Sequence, residues 1–285
     1  MSYQVHLPLH RRLAVSQLTT VRWSLPEALD GFRRCGVPAI GLSYSKLQAR
    51  GLEAAIDEVQ SAGLLVSSLG WIGGFTGSDG NSWEDAVREA RLAIWTAGQV
   101  GAKSVSVVTG ARGTHIRPHA RRLVIQALKE LAPLAAHCGV RLALQPMHRV
   151  HHARWTFLHS LDESLQILDR VNHPWLGLSY SPFHFADEDG LLERLPALVS
   201  RIAAVHLSDW HRPPQHDHDR VLPGDGCLPL PRHVELERAG YRGLYEVDPW
   251  CQELWRRPPT SLLAECRRRF ESLCEPIIAS ELPLH

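Results

Sequence analysis

Short apolar runs alternate with longer segments of helical period from one end of the chain to the other. Residues 13–15, 39–42, 64–66, 104–108, 141–144, 176–180, 202–207 and 244–247 form the short runs, and several carry β-branched valine or isoleucine. Their hydrophobicity is continuous rather than alternating, which predicts strands covered on both faces, as in a parallel sheet. The segments between them read as helices. The first is capped by Ser24, carries Pro26 and Glu27 in its first turn and stops at Gly36. Residues 52–62 stop at Gly63, and 82–100 start on Ser82 with Asp85 suited to the first turn. Residues 117–137 begin near Pro118 and end before Gly139. The remaining helical segments are 161–171, 191–200 with Pro196 inside, 231–239 closed by Gly240, and 261–272.

The order is therefore strand then helix, eight times, within 285 residues. Eight such units predict a closed (β/α)8 TIM barrel rather than an open, doubly wound sheet. No strand is followed by a Gly-x-Gly-x-x-Gly turn, which removes the usual dinucleotide-binding signal. No linker or low-complexity stretch divides the chain, so residues 1–285 are expected to form one barrel domain, with 213–219 as a polar loop insertion.

Composition narrows the function by exclusion. Thirty-one basic and 30 acidic residues leave a formal charge of +1, with the arginines scattered over the helical segments, so no nucleic-acid partner is expected. No apolar stretch reaches the length of a membrane span. Residues 1–6 lack the basic-then-apolar pattern of an export signal, and the six cysteines show no Cys-x-x-Cys pair. A cytoplasmic protein acting on a small molecule is the expectation.

In a barrel of this kind the loops after the strands build the active site, so polar residues that close a strand carry the chemistry. Four such ends offer Gln145, Ser181, His206 and Glu246. A buried His or Glu is costly unless it has a partner, and two on adjacent strands point to a shared site. Trp71, Phe183, Trp210 and Trp250 fall in the same set of loops, where a sugar ring could lie against them. Rival chemistries lack their residues. Of the three lysines, Lys103 precedes its strand, Lys129 lies in a helix and Lys46 is poorly placed for a Schiff base; no Gly-x-Ser-x-Gly turn is present.

Taken in order, Gly101-Ala102, residues 141–148, 176–184, 205–209, 220–226 and 241–247 resemble the sugar phosphate isomerase/epimerase family, whose members have the xylose isomerase-like barrel. Asp162-Glu163-Ser164-Leu165 and residues 266–270 fit as well, so the resemblance covers nearly the whole chain. It implies one divalent ion, Mn2+, Mg2+ or Co2+, held by Glu, Asp, His and Glu at positions 145, 181, 206 and 246. It also implies that His184 and Arg220, which precedes Pro223-Gly224-Asp225-Gly226, contact substrate, and that the protein could assemble as a homo-oligomer.

This chain departs from the pattern at two of the four ligand positions, because Gln145 and Ser181 stand where carboxylates are implied. An amide keeps an oxygen donor but neither the negative charge nor a useful base, and a hydroxyl is weaker still. Hard cations prefer carboxylates, whereas imidazoles from loop residues such as His148, His151, His152, His211, His216 or His218 would suit Zn2+ better. The expectation is an isomerase- or epimerase-like enzyme with a degenerate metal site, in which Glu246 is the base and His206 a ligand or acid. The alternative is a binding barrel without chemistry, or a metal-independent relative turned to lyase chemistry.

Overall fold

The computed structural model describes residues 7–151, 154–216 and 218–281. Residues 1–6, 152–153, 217 and 282–285, with His152 and Asp217 among them, lie outside the described residues. Eight strands close into one parallel barrel in sequence order: β1 (Leu13–Ser16), β2 (Ala39–Ser43), β3 (Leu65–Gly73), β4 (Ser104–Val108), β5 (Arg141–Leu144), β6 (Leu176–Tyr180), β7 (Ile202–Leu207) and β8 (Tyr245–Val247). The β1–β8 pairing, Ala14 opposite Glu246, completes the ring. Every residue of β1, β2, β4, β6 and β8 is buried, which is what their unbroken apolarity predicted.

The described helices surround the strands: α1 (Leu25–Arg34), α2 (Tyr44–Arg50), α3 (Leu52–Ala62), α4 (Trp83–Gln99), α5 (Arg117–Cys138), α6 (Leu161–Val171), α7 (Leu191–Leu198), α8 (Leu230–Val234) and α9 (Pro259–Glu281). Their starts follow from local chemistry. The Glu27 carboxylate accepts from the backbone N and the hydroxyl of Ser24, both at 2.7 Å. The Ser82 hydroxyl accepts from Asp85 N at 3.0 Å, and Ser160 does the same for Glu163 N at 3.2 Å. On α4 the buried Ala86, Ala90, Ala93 and Ala97 recur every three to four residues, so small side chains let this helix lie close against its neighbours.

The structure corrects several boundaries. β3 runs on to Gly73 through a stretch that reads as glycine-rich loop, because its residues pair with β4 as far as Gly73 opposite Val108. α2 was not expected; on it, Lys46 donates from Nζ to the carbonyls of Val21 at 2.7 Å and Trp23 at 2.6 Å, which ties down the loop after β1. α8 is a short helix running into a 3-10 turn, Glu235–Glu237, while α9 is longer than its apolar pattern suggested.

One irregularity matters for the site. Register between β2 and β3 slips at Ile40/Gly41, so Val66 pairs with Ile40 and Ser68 with Gly41, leaving Ser67 as an extra residue. The bulge turns two consecutive serines, Ser67 and Ser68, toward the same interior point.

Candidate active site

Glu246 is the middle residue of β8 and pairs in register with His206 on β7, so both side chains project inward from adjacent strands. The Glu246 carboxylate crosses the interior to β2 and β3. A Cβ on Gly41 would stand 2.1 Å from its Oε1, so only glycine at that position lets the side chain lie there. The hydroxyls of Ser67 and Ser68 donate to Oε2 at 2.8 and 2.7 Å. Oε1 is 3.8 Å from His206 Nδ1, close enough for attraction and too long for a hydrogen bond.

Gln145 follows β5 and Ser181 follows β6, and both are about as buried as the core. Gln145 Oε1, Ser181 Oγ and both ring nitrogens of His206 are buried without a hydrogen-bond partner. A native interior leaves few such groups, so a cluster of them marks a place meant for something polar. Trp71, Ser68, Ser106, Gln145, His206 and Glu246 help to line a cavity of about 20 Å³ there. That is room for roughly one water.

Trp71, which borders this cavity, forms a ring cluster with Trp155 and Trp250, with centroids 5.4 Å apart for Trp71–Trp155 and for Trp71–Trp250, and 5.9 Å for Trp155–Trp250. Trp155 gave no signal in the sequence, since nothing local shows that its loop returns to β3. Ser67 and Ser68 were equally silent, because a serine inside an apolar run does not reveal that a bulge will aim it at a carboxylate.

The other expected substrate contacts pack beside this cavity rather than around it. The Arg220 guanidinium is buried, pairs with Asp248, and lies over the rings of Phe183 at 5.0 Å and Trp250 at 5.7 Å. Trp210 packs edge-on against Phe183, with centroids 5.6 Å apart. Asp209 fixes the loop that follows Arg220 by accepting from the backbone N of Gly224, Gly226 and Leu228 at 3.0–3.1 Å. On its other side Arg220 borders a groove of about 600 Å³ shared with His211, His216, His218 and Cys251.

His184 is held uncharged. Its Nδ1 faces His148 N at 3.2 Å and its Nε2 faces Arg220 Nη2 at 3.2 Å. Both neighbours are N–H donors, so a protonated ring would meet donor against donor on each side. Burial first, then Arg220 and the histidines His151, His206 and His148, pull its pKa well below the usual imidazole value.

The residues at the implied metal position do not fit Mn2+, Mg2+, Co2+ or Zn2+. They present a single carboxylate, of which one oxygen already holds two serine hydroxyls, beside one imidazole, one amide and one hydroxyl. The loop histidines do not supply the missing charge. His148 pairs with Asp187 at 2.9 Å and His218 packs against Trp250 and Trp255. Among the described residues no three His, Cys, Asp or Glu side chains form a group that could hold a metal ion.

A parallel eight-stranded barrel with its polar cluster at the C-terminal ends of β5 to β8 defines a class of barrel built for a small ligand at that rim. The sequence pattern of the xylose isomerase-like TIM barrel family matches residues 29–272, and the chain belongs to that family. It is 26% identical over 188 residues to the inosose isomerase of Bacillus subtilis (strain 168), a match spanning 64% of this chain and 66% of that one. Its fold is similar to a crystal structure of a protein from Sinorhizobium meliloti 1021, with a TM-score of 0.85, 28% identity and coverage of 93% and 99% of the two chains. It also resembles the IolI protein solved with a bound zinc atom, at a TM-score of 0.77, 19% identity and coverage of 95% and 99%. The last likeness is one of fold. No described helix is long and apolar enough to cross a membrane.

Proposed function

We propose that the protein is an isomerase- or epimerase-like enzyme for a small polyhydroxylated keto substrate, with Glu246 moving a proton at the carbon beside the carbonyl. The inosose isomerase relative supports the reaction class. The observation that carries the reading is the Glu246 carboxylate itself, pinned through Oε2 by Ser67 and Ser68 while Oε1 stands toward His206. Two donors on one oxygen fix the orientation of the carboxylate and leave the other oxygen for substrate.

In the forward step Oε1 takes the proton from carbon, and the C–H electron pair moves to form an enediol whose carbonyl oxygen becomes an oxyanion. Hydrogen-bond donors receive that charge in place of a metal: the His206 ring N–H, the Ser181 hydroxyl and the Gln145 amide, whose NH2 end reaches the cavity by rotation of the terminal group. Returning the proton to the former carbonyl carbon, while the hydroxyl proton on the adjacent carbon passes to the oxyanion and the new C=O forms there, completes an isomerisation. A substrate larger than one water requires Trp71, which lines the cavity and packs against Trp155 and Trp250, to move.

The test is deuterium uptake from D2O at that carbon, followed by NMR on a panel of inososes and ketohexoses. Wild-type protein should exchange at least one of them and Glu246→Gln should not; equal exchange by the two proteins would remove Glu246 from the reaction. A second reading, a binding barrel without chemistry, is favoured by the uncharged Gln145 and Ser181. It predicts saturable binding of a panel member by the wild type with no exchange.

A further inference from the structure

The opposite end of the barrel holds a larger cavity than the rim described above. It measures about 440 Å³ and opens among residues at the N-terminal ends of the strands, including Lys103 before β4, Arg141 at the start of β5, Ile202 at the start of β7 and Leu244 before β8. A volume of this order is typical of small-ligand sites, and barrels of this class are not expected to carry chemistry at this face.

Its electrostatics are lopsided. Lys103, Arg141 and Arg242 line it, against the single carboxylate of Glu246 at its inner end. That carboxylate is occupied elsewhere, by Ser67 and Ser68 on Oε2, and makes no ion pair with Arg141. Arg242 leans outward onto Glu237, 3.1 Å away. Arg141 is the group left over. It spans the floor of the barrel to donate from Nη1 to the carbonyl of Ile202 at 2.8 Å, and passes Gly177 of β6 so closely that a Cβ there would lie 2.6 Å from Nη2. Its Nε is buried with no partner, and among the described residues no carboxylate pairs with it. Burial pulls the Arg141 pKa below its ordinary value, the mark of a charge short of compensation. Val199, Ala203, Ala204 and Leu244 give the remaining wall a short apolar part, beside the hydroxyl-bearing Ser200 and Tyr241.

We propose that this cavity is a second ligand site, for a compact oxyanion (a phosphate or carboxylate group) bound by Arg141 with Lys103 and Arg242 in support. A guanidinium without a carboxylate partner among the described residues, beside one lining carboxylate already held by two serine hydroxyls, is the arrangement that recognises such groups. The apolar wall accommodates a short carbon skeleton attached to the anion.

Calorimetry with inorganic phosphate on the full chain, at constant ionic strength and with chloride as the reference, tests the assignment. Wild-type protein should show one saturable site. Arg141→Gln keeps a donor for the Ile202 carbonyl and should weaken phosphate binding at least about tenfold, with circular-dichroism melts confirming the fold. Lys103→Gln should weaken it by about threefold or more, and decides the matter should Arg141→Gln fail to fold. An absence of saturable heat with the wild type overturns the proposal. So does unchanged affinity in both variants, or binding that survives in them and disappears in Arg220→Gln, which would move the anion to the other face.

Discussion

The two ends of the barrel differ in what they leave unsatisfied. At the C-terminal rim the deficit is of hydrogen bonds: Gln145 and His206 carry buried polar atoms without partners beside a cavity of about 20 Å³, and Ser181 carries another just past β6. At the N-terminal floor the deficit is of negative charge, around Arg141 in a cavity of about 440 Å³. The smaller space is the better candidate for chemistry, because oriented groups lower barriers and volume alone does not. Glu246 borders both cavities, and its serine clamp directs Oε1 to the rim.

The comparison can be broken most decisively at Glu246. Glu246→Gln should lower exchange at the substrate carbon by roughly a hundredfold to ten-thousandfold, the usual span for a lost acid–base group, while phosphate binding at the floor stays saturable. Loss of both, read by NMR and calorimetry, would mean that the two ends are one site.

The next effect is on stability. Arg220→Ala leaves the partly buried Asp248 carboxylate unpaired and removes a buried guanidinium from its ring contacts, and should cost about 3 kcal/mol in urea unfolding. The same change at the more open Arg141 should cost much less. A small loss at Arg220 would show that its cluster is looser than its burial suggests.

Acid should act on the upper half through its neutral histidines. His233 Nδ1 and the Tyr180 hydroxyl share a hydrogen bond at 2.5 Å, and burial with nearby Arg232 lowers the His233 pKa to about 4 from the 6.5 of an exposed ring. The folded value is the lower one, so below pH 6.5 the unfolded chain binds more protons. The stability due to this ring is therefore full above pH 6.5 and is lost as the pH falls toward about 4, on the order of 3 kcal/mol in all. His184 adds to the loss in the same direction. Urea midpoints measured from pH 7.5 to 4 should fall over that window, and His233→Gln should flatten the slope.

The smallest effect sharpens the account of the rim. Gln145→Glu with Ser181→Asp would bring carboxylates to three of the four implied ligand positions and should tighten Mn2+ binding by at least about tenfold over the wild type. Unchanged Mn2+ affinity in calorimetry would show that charge is not what the donor set lacks.

The barrel itself was legible along the chain, because each strand is short, continuously apolar and bounded by helix start and stop signals that act locally. Eight repeats of that pattern leave little freedom, and the residues at the strand ends follow from it, so Gln145, Ser181, His206 and Glu246 could be found without coordinates. Tertiary structure alone decided what surrounds them. The bulge that aims Ser67 and Ser68 at Glu246, the loop that brings Trp155 to Trp71, and the packing that turns Arg220 onto Asp248 and His184 all join residues far apart in sequence. Such contacts depend on register and loop path, which side-chain pattern does not encode locally. The floor cavity is of the same kind, since it exists only where Arg141 crosses beneath Gly177 to reach β7.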